Sequence, residues 1–84
     1  MRIWITMLDR EVAAIWKRRR YQQAIREAKE ALQVMTEFFG PHDRDVKTAV
    51  EHLTDFFRSK GGAHGHDGHV ALTQYAKQSG ILKA

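Results

Sequence analysis

The sequence predicts an all-α fold in which four helices pair into two antiparallel hairpins. Small and apolar residues recur at steps of three and one through residues 21–38, and the same rhythm returns through residues 46–57. Such spacing places each set of side chains on one face of a helix. Gly40-Pro41 and Gly61-Gly62 follow the two stretches. These pairs mark helix ends, because glycine adopts the left-handed conformation that ends many helices and proline cannot continue one.

The first helix is expected to begin near residue 6 and to continue to residue 19. Its apolar stripe consists of Leu8, Val12, Ile15 and Trp16. Apolar residues also alternate through residues 1–7, which would suit a strand, but the rest of the chain offers no second strand for pairing. Trp4 and Ile5 are therefore expected to form a hydrophobic cap on this helix, or else a contact with another subunit.

Residues 21–39 form the second predicted helix, and its two faces differ sharply. The inward face contains Tyr21, Ala24, Ile25, Ala28, Ala31, Leu32, Met35 and Phe38. The opposite face carries glutamine, glutamate, lysine and arginine, which favour both helix formation and contact with water. Three alanines on the inward face permit a neighbouring helix to approach closely, so tight helix packing is predicted here.

The third helix is predicted over residues 42–60, where Asp43 and Asp45 are available to cap the first turn. Its inward face contains Val46, Ala49, Val50, Leu53, Phe56 and Phe57. Residues 61–69 contain four glycines and are expected to form a flexible loop. The fourth helix is then expected over residues 67–82. Its inward residues are Leu72, Tyr75, Ala76, Ser79 and Leu82.

Four segments of the predicted hairpins form recognisable motifs. They are Tyr21-x-x-Ala24-Ile25-x-x-Ala28-x-x-Ala31-Leu32, the linker Phe39-Gly40-Pro41-His42-Asp43-x-Asp45-Val46, the pair Leu53-x-x-x-Phe57, and the closing Gly61. Over residues 8–61 the chain resembles a tetratricopeptide repeat (TPR) of the longer kind found in kinesin light chains. Ile15 and Phe57 lie at matching places, separated by the length of one such repeat.

The resemblance implies a single domain, residues 1–84, in which two repeats stack as a short right-handed α-solenoid. Repeat one would occupy residues 6–39, and repeat two residues 42–82. The last helix lacks the alanine pattern of the first repeat. It is therefore expected to be either the second helix of repeat two or a terminal cap.

A concave surface that binds a partner polypeptide is the function that the resemblance implies, because stacked hairpins line such a surface with the first helix of each pair. The implied binding residues are Arg10, Ala13, Trp16, Lys17, Glu51, His52, Asp55 and Arg58. Trp16 has an alternative place in the core, since it follows Ile15 on the inward stripe. Some family members hold a C-terminal carboxylate with paired asparagines and lysines. No such clamp is expected here, because the corresponding places carry Asp9, Ala13, Glu51 and Asp55.

Two repeats leave an apolar end face of the stack uncovered, since such arrays normally need about three repeats or polar caps. The sequence therefore predicts either self-association into a homo-oligomer or capping by the last helix. The candidate contact residues are Trp4, Leu8, Tyr75, Ile81 and Leu82.

Two other patterns give alternative functions. Lys17-Arg18-Arg19-Arg20 is the one block of basic residues in a chain of net charge +4, and it could bind nucleic-acid phosphates. No nucleic-acid-binding motif accompanies it, and helix ends attract cations in any case, so nucleic acid is not the expected partner. His64, His66 and His69, with Asp67, could hold zinc, nickel or copper weakly. An exposed loop in which Asp67 caps the last helix explains the same residues.

Composition argues against several other classes of function. The chain has no cysteine, which excludes disulfides, cysteine-based metal sites and thiol catalysis. No acid, base or nucleophile is forced into a pocket, and Gly61-Gly62 lacks the context of a phosphate-binding loop, so neither an enzyme nor a cofactor is expected. The apolar start Ile3-Trp4-Ile5 is too short for a signal-peptide core, and no apolar run reaches the ~20 residues of a membrane span. A cytoplasmic protein without membrane association is expected.

Overall fold

Four α-helices follow one another along the chain in the computed structural model, which describes the backbone of residues 2–83 and the side chains of residues 5–83. They are α1 (Arg2–Lys17), α2 (Tyr21–Phe39), α3 (Arg44–Lys60) and α4 (Gly62–Gln78). No strand occurs in this part of the chain, so the prediction of an all-α fold with four helices is confirmed. None of these described helices is long and apolar enough to cross a membrane.

The helices pack in a pattern consistent with two hairpins, since α1 lies against α2 and α3 against α4. α2 also contacts α3 and α4, and α1 contacts α3, whereas α1 and α4 do not touch within the described residues. The core comes from the predicted inward faces. Its largest fully buried side chains are Val12, Leu32, Met35, Val46, Val50, Leu53, Phe57 and Leu72. Ala24, Ala28 and Ala49 are also fully buried, as expected where small residues let helices approach closely.

The limits predicted for the first helix are wrong at both ends. α1 begins at Arg2 rather than near residue 6, and Ile5 is buried in the core instead of capping the helix from outside. Burial of this isoleucine stabilises the extra turn, because removing apolar surface from water is the main driving force available to a short helix. The side chain of Trp4 lies outside the described residues.

The turn after α1 explains why this helix ends at Lys17 instead of residue 19. Arg19 has a φ of 62°, the left-handed conformation that usually requires glycine. The Arg19 N–H donates to the carbonyl of Trp16 at 2.9 Å, and the Arg20 N–H donates to the carbonyl of Ile15 at 3.3 Å. This pair of bonds is a Schellman motif, which closes the helix and turns the chain directly into α2.

The link between α2 and α3 follows the sequence prediction closely. Gly40 has a φ of 87° and its N–H donates to the carbonyl of Thr36, which ends α2. Asp43 caps α3, because its Oδ1 accepts hydrogen bonds from the backbone N–H groups of Asp45 at 2.9 Å and Val46 at 3.2 Å. The helix proper therefore begins at Arg44, two residues later than predicted.

The fourth helix departs most from the sequence prediction. Residues 62–69 are helical rather than a flexible loop, and α4 begins at Gly62 and ends at Gln78. Gly65 and Gly68 are buried against α3, where they allow the two backbones to come unusually close. A Cβ at residue 65 would lie 2.6 Å from the carbonyl oxygen of Phe57. A Cβ at residue 68 would lie 2.5 Å from Cγ of the same phenylalanine. The glycines thus serve helix packing, not chain flexibility.

One prediction of burial, in the last turn of α2, also needs correction. Phe38 is 77% exposed, although the sequence places it on the inward face of α2. The buried stripe of α2 ends at Met35, so the last turn lies beyond the core. At the other end of the chain, Leu72 and Ala76 are buried as predicted, and Ile81 is buried as well.

Candidate functional site

α1 and α3 lie side by side and present a shared face, which is the place where the sequence predicts partner binding. A contact between Asp9 of α1 and His52 of α3 links the two helices, with Asp9 Oδ2 and His52 Nδ1 at 3.3 Å. Both side chains remain partly accessible, at 33% for Asp9 and 52% for His52. Each is therefore available to a molecule bound across the two helices.

A groove of about 340 Å³ runs between the same helices, lined by Ile5, Thr6, Thr48 and His52. Asp9 contacts one of these lining residues, His52, and lies one helical turn after another, Ile5. The second carboxylate oxygen of Asp9, Oδ1, is buried and has no hydrogen-bond partner within the described residues. Buried carboxylate oxygens normally accept hydrogen bonds, so Oδ1 is an acceptor that the described residues leave unused.

The structure brings most of the predicted binding residues to accessible positions on α1 and α3. The exposed ones are Arg10, Lys17, Glu51, His52, Asp55 and Arg58, and Ala13 is partly exposed. Arg58 Nη1 lies 4.0 Å from Asp55 Oδ1, a solvent-exposed ion pair that contributes little stability. The face therefore carries both signs of charge and has no single electrostatic preference.

Trp16 has a structural role that the binding prediction does not include. Its ring centroid lies 4.6 Å from that of Tyr21, 5.9 Å from that of Phe56 and 5.7 Å from that of Phe57. Edge-on and tilted contacts of this kind stabilise aromatic clusters. Trp16 thus joins α1, α2 and α3, and only part of its surface is open to a partner.

Sequence reasoning placed Asp9 on this face only as a position that does not form a carboxylate clamp, and it missed Thr48. Asp9 lies one turn before Ala13 on α1, and Thr48 lies one turn before His52 on α3. Helical spacing from the predicted residues would have found both. The orphaned Oδ1 of Asp9 depends on tertiary packing and left no trace in the sequence.

None of the predicted self-association residues whose side chains the structure describes is fully exposed. Ile81 is 3% exposed and belongs to the core, so its assignment to an exposed contact is wrong. Leu8, Tyr75 and Leu82 are partly buried and pack against the core, where a role in self-association stays a prediction. The structure instead exposes other large apolar side chains. They are Met7, Val34, Phe38 and Phe39.

A second groove lies between α1 and α2, on the side that no other described helix covers. It encloses about 300 Å³ and is lined by Met7, Leu8, Glu11, Ala31, Val34 and Met35. Its lining is almost wholly apolar. It holds no group that could fix the orientation of a ligand, other than the carboxylate of Glu11.

The three histidines predicted as metal ligands lie on α4 and point to different partners. His64 stacks on Tyr21, with ring centroids 4.2 Å apart and planes inclined by 20°. His69 Nε2 lies 2.8 Å from Arg58 Nη2, and Arg58, His66 and His69 line a pocket of about 410 Å³ with Gly61 and Gly62. Among the described side chains, no group of three or more His, Cys, Asp or Glu is placed to hold a metal ion.

No protein-family model matches this chain, and no curated protein or solved structure is significantly similar to it. The resemblance to tetratricopeptide repeats therefore stays a prediction from sequence motifs.

Proposed function

We propose that this protein is a polypeptide-binding module whose two hairpins stack as a short TPR-like right-handed solenoid. The face shared by α1 and α3 would hold a segment of the partner. The observation that carries this proposal is the buried Oδ1 of Asp9, which has no hydrogen-bond partner among the described side chains and belongs to the residue that contacts His52 of the groove. A ligand that donates a hydrogen bond to the Asp9 carboxylate would satisfy this acceptor.

The packing of the helices supports the arrangement. α1 neighbours α3, and α2 neighbours α4, so helices at equivalent places in the two hairpins lie next to each other. That is the neighbour pattern of stacked hairpins in a helical repeat, in which each unit buries its apolar face against the next. The concave face of such a stack is formed by its first helices, here α1 and α3.

The chemistry at Asp9 favours a partner segment that donates hydrogen bonds. A hydrogen bond to a charged carboxylate contributes about 1.5–3 kcal/mol, roughly twice the value for a neutral pair. A lysine or arginine side chain, or a backbone N–H, would supply such a bond. The adjoining groove of about 340 Å³ is at the small end of the range for binding pockets. It fits one or two side chains rather than a whole folded surface.

The charges that flank the groove would then set the register of the bound segment. α1 presents Arg10 and Lys17 together with Asp9, and α3 presents Glu51 and Asp55 together with Arg58, so each wall carries both signs of charge. Exposed pairs of this kind influence orientation and association rate more than affinity.

We place the protein in the cytoplasm, because a chain without cysteine suits a reducing compartment.

Selection of peptides from a random displayed library on the intact chain would test the proposal. We expect the selected peptides to contain lysine or arginine, and Asp9→Ala to weaken their binding about tenfold, the equivalent of 1.4 kcal/mol. Glu30→Ala is the matched control, since it removes an exposed acid from α2, and it should change affinity less than twofold. Calorimetry measures both values.

Asp9→Ala should leave folding intact, because the alanine removes an unsatisfied buried oxygen and only a partly exposed contact to His52. Amide chemical shifts in the peptide titration should change along α1 and α3. Equal losses of affinity for Asp9→Ala and Glu30→Ala, or shifts confined to α2 and α4, would refute the proposed groove.

A further inference from the structure

One end of the molecule gathers the ends of all four helices around an aromatic cluster. Trp16 at the end of α1 contacts Tyr21 at the start of α2 and Phe57 near the end of α3. Tyr21 in turn stacks on His64 in the first turn of α4. Segments that are far apart in the sequence, residues 17–22 and 58–66, therefore meet at this end, which we call the basic end.

The basic end holds six of the 14 lysines and arginines of the protein and accounts for its net positive charge. Its six cationic residues are Lys17, Arg18, Arg19, Arg20, Arg58 and Lys60, all exposed. Neither segment contains an aspartate or a glutamate. The chain has 14 lysines and arginines against 10 acids, so outside the basic end the acids outnumber the eight remaining cations. The net charge of +4 thus comes from one end of the fold, where cations from two hairpins converge.

We propose that the basic end binds single-stranded nucleic acid through its phosphates. Four of the six cations are arginines, whose planar guanidinium groups match phosphate oxygens in bidentate geometry. Arg58 Nη2 lies 2.8 Å from His69 Nε2, and Arg58 lines the pocket of about 410 Å³ together with His66 and His69, while its Nη1 lies 4.0 Å from the exposed carboxylate of Asp55. The α2 and α4 helices also begin here without side-chain caps, so their positive ends add to the field.

The exposed aromatic surface favours nucleic acid over other polyanions. His64 is exposed and lies on the ring of Tyr21, an arrangement that offers a flat ring to an unpaired base. Proteins that bind single strands combine such stacking platforms with a basic track for the backbone. An anionic membrane would need exposed apolar side chains beside the cations. The exposed ones, Met7, Val34 and Phe38 among them, lie at other places on α1 and α2.

This surface is distinct from the groove proposed for a polypeptide. Lys17 and Arg58 border both, but Arg18, Arg20 and Lys60 belong to the basic end alone. Failure of one proposal therefore leaves the other standing.

Fluorescence anisotropy of the full chain with a labelled single strand of about 12 nucleotides tests the proposal. The key variant is the triple substitution Arg18→Gln, Arg20→Gln and Lys60→Gln. We expect it to weaken binding at least tenfold, and to lower the slope of log affinity against log salt by about 2, since each phosphate contact contributes about 0.7 on single strands.

The matched control removes the same charge elsewhere, with Lys29→Gln, Lys47→Gln and Lys77→Gln, three exposed lysines on α2, α3 and α4. It should change affinity less than threefold. The double variant Arg18→Gln and Arg20→Gln guards against misfolding, because it retains the contact of Lys60 with the Phe56 ring. Thermal melts followed by circular dichroism check that every variant is folded.

His64→Ala provides the test of stacking and should weaken binding of the single strand about fivefold or more, with a smaller effect on the matching duplex. Equal losses in the two triple variants would overturn the proposal. Equal affinity for the duplex and the single strand would also overturn it. The same holds if the protein binds vesicles of phosphatidylserine and phosphatidylcholine, or polyglutamate, but does not bind the oligonucleotide.

Discussion

The contact between α3 and α4 leads to a prediction opposite to that from helix propensity. Gly68 lies in the interior of α4, where replacement of glycine by alanine normally stabilises a helix by about 1 kcal/mol. Here the new Cβ would lie 2.5 Å from Cγ and 2.6 Å from Cδ1 of Phe57, far inside the 3.4 Å at which ordinary contacts begin. Relief of the overlap requires Phe57 or α4 to move by about 1 Å.

Phe57 has little freedom to move, because it is fully buried and packs against Phe56 and Trp16. Overpacking of a dense core costs about 1–3 kcal/mol, and overlap with two ring atoms belongs in the upper part of that range. After subtraction of the propensity gain, Gly68→Ala should destabilise the fold by about 1–2 kcal/mol. In a domain of this size the melting temperature should fall by about 5–15 °C.

Thermal and urea unfolding followed by circular dichroism measure this change. Gln74→Ala, at an exposed position of the same helix, is the control and should alter stability by less than about 0.5 kcal/mol. Combining Gly68→Ala with Phe57→Leu should recover part of the loss, because the smaller side chain makes room for the Cβ. A rise in stability for Gly68→Ala would refute the close approach and show that propensity dominates.

Three further substitutions test other parts of the fold. Asp43→Ala should cost about 1 kcal/mol of unfolding free energy through loss of the α3 cap, whereas Asp43→Asn should cost little; equal effects would contradict capping. Arg19→Gly should stabilise by about 0.5–1 kcal/mol because of its positive φ, and Arg18→Gly should destabilise; a loss at residue 19 would count against the left-handed turn. Phe38→Ser should change stability by less than about 0.5 kcal/mol, and a loss several times larger would place this ring in the core.

The spacing of apolar residues and the glycine, proline and capping residues at helix ends were enough to predict the four helices and most of the core. The spacing of apolar residues gave four helices, and Asp43 was predicted as a cap from its place after Gly40-Pro41. These features are local, since each depends on residues within one or two turns of the chain.

The errors arose where tertiary packing overrides local preference. Gly65 and Gly68 predicted flexibility, because a glycine-rich segment is unfavourable as an isolated helix. Contact with Phe57 supplies the compensating energy, and nothing in the local sequence indicates that contact. Phe38 shows the reverse case: it has helical spacing but lies beyond the last neighbour that could cover it.

The candidate sites follow the same division. Helical spacing identified the faces of α1 and α3, which is why most predicted binding residues are accessible there. The Asp9–His52 contact and the convergence of Arg58 with Lys17 and Arg20 join residues that are distant in sequence. Such pairs form only when the chain folds, and they leave no local pattern in the sequence.

The position of α1 at the edge of the bundle has a consequence for how the molecule opens. It has two neighbours, α2 and α3, whereas α3 and α4 share the most extensive contact in the described structure. Amide hydrogens of α1 should therefore exchange with solvent before those of α3, through fluctuations that detach the first helix and leave the other three together. A peptide that contacts both α1 and α3 would bind only the state in which α1 is docked. Its binding would therefore stabilise that state and slow amide exchange in α1.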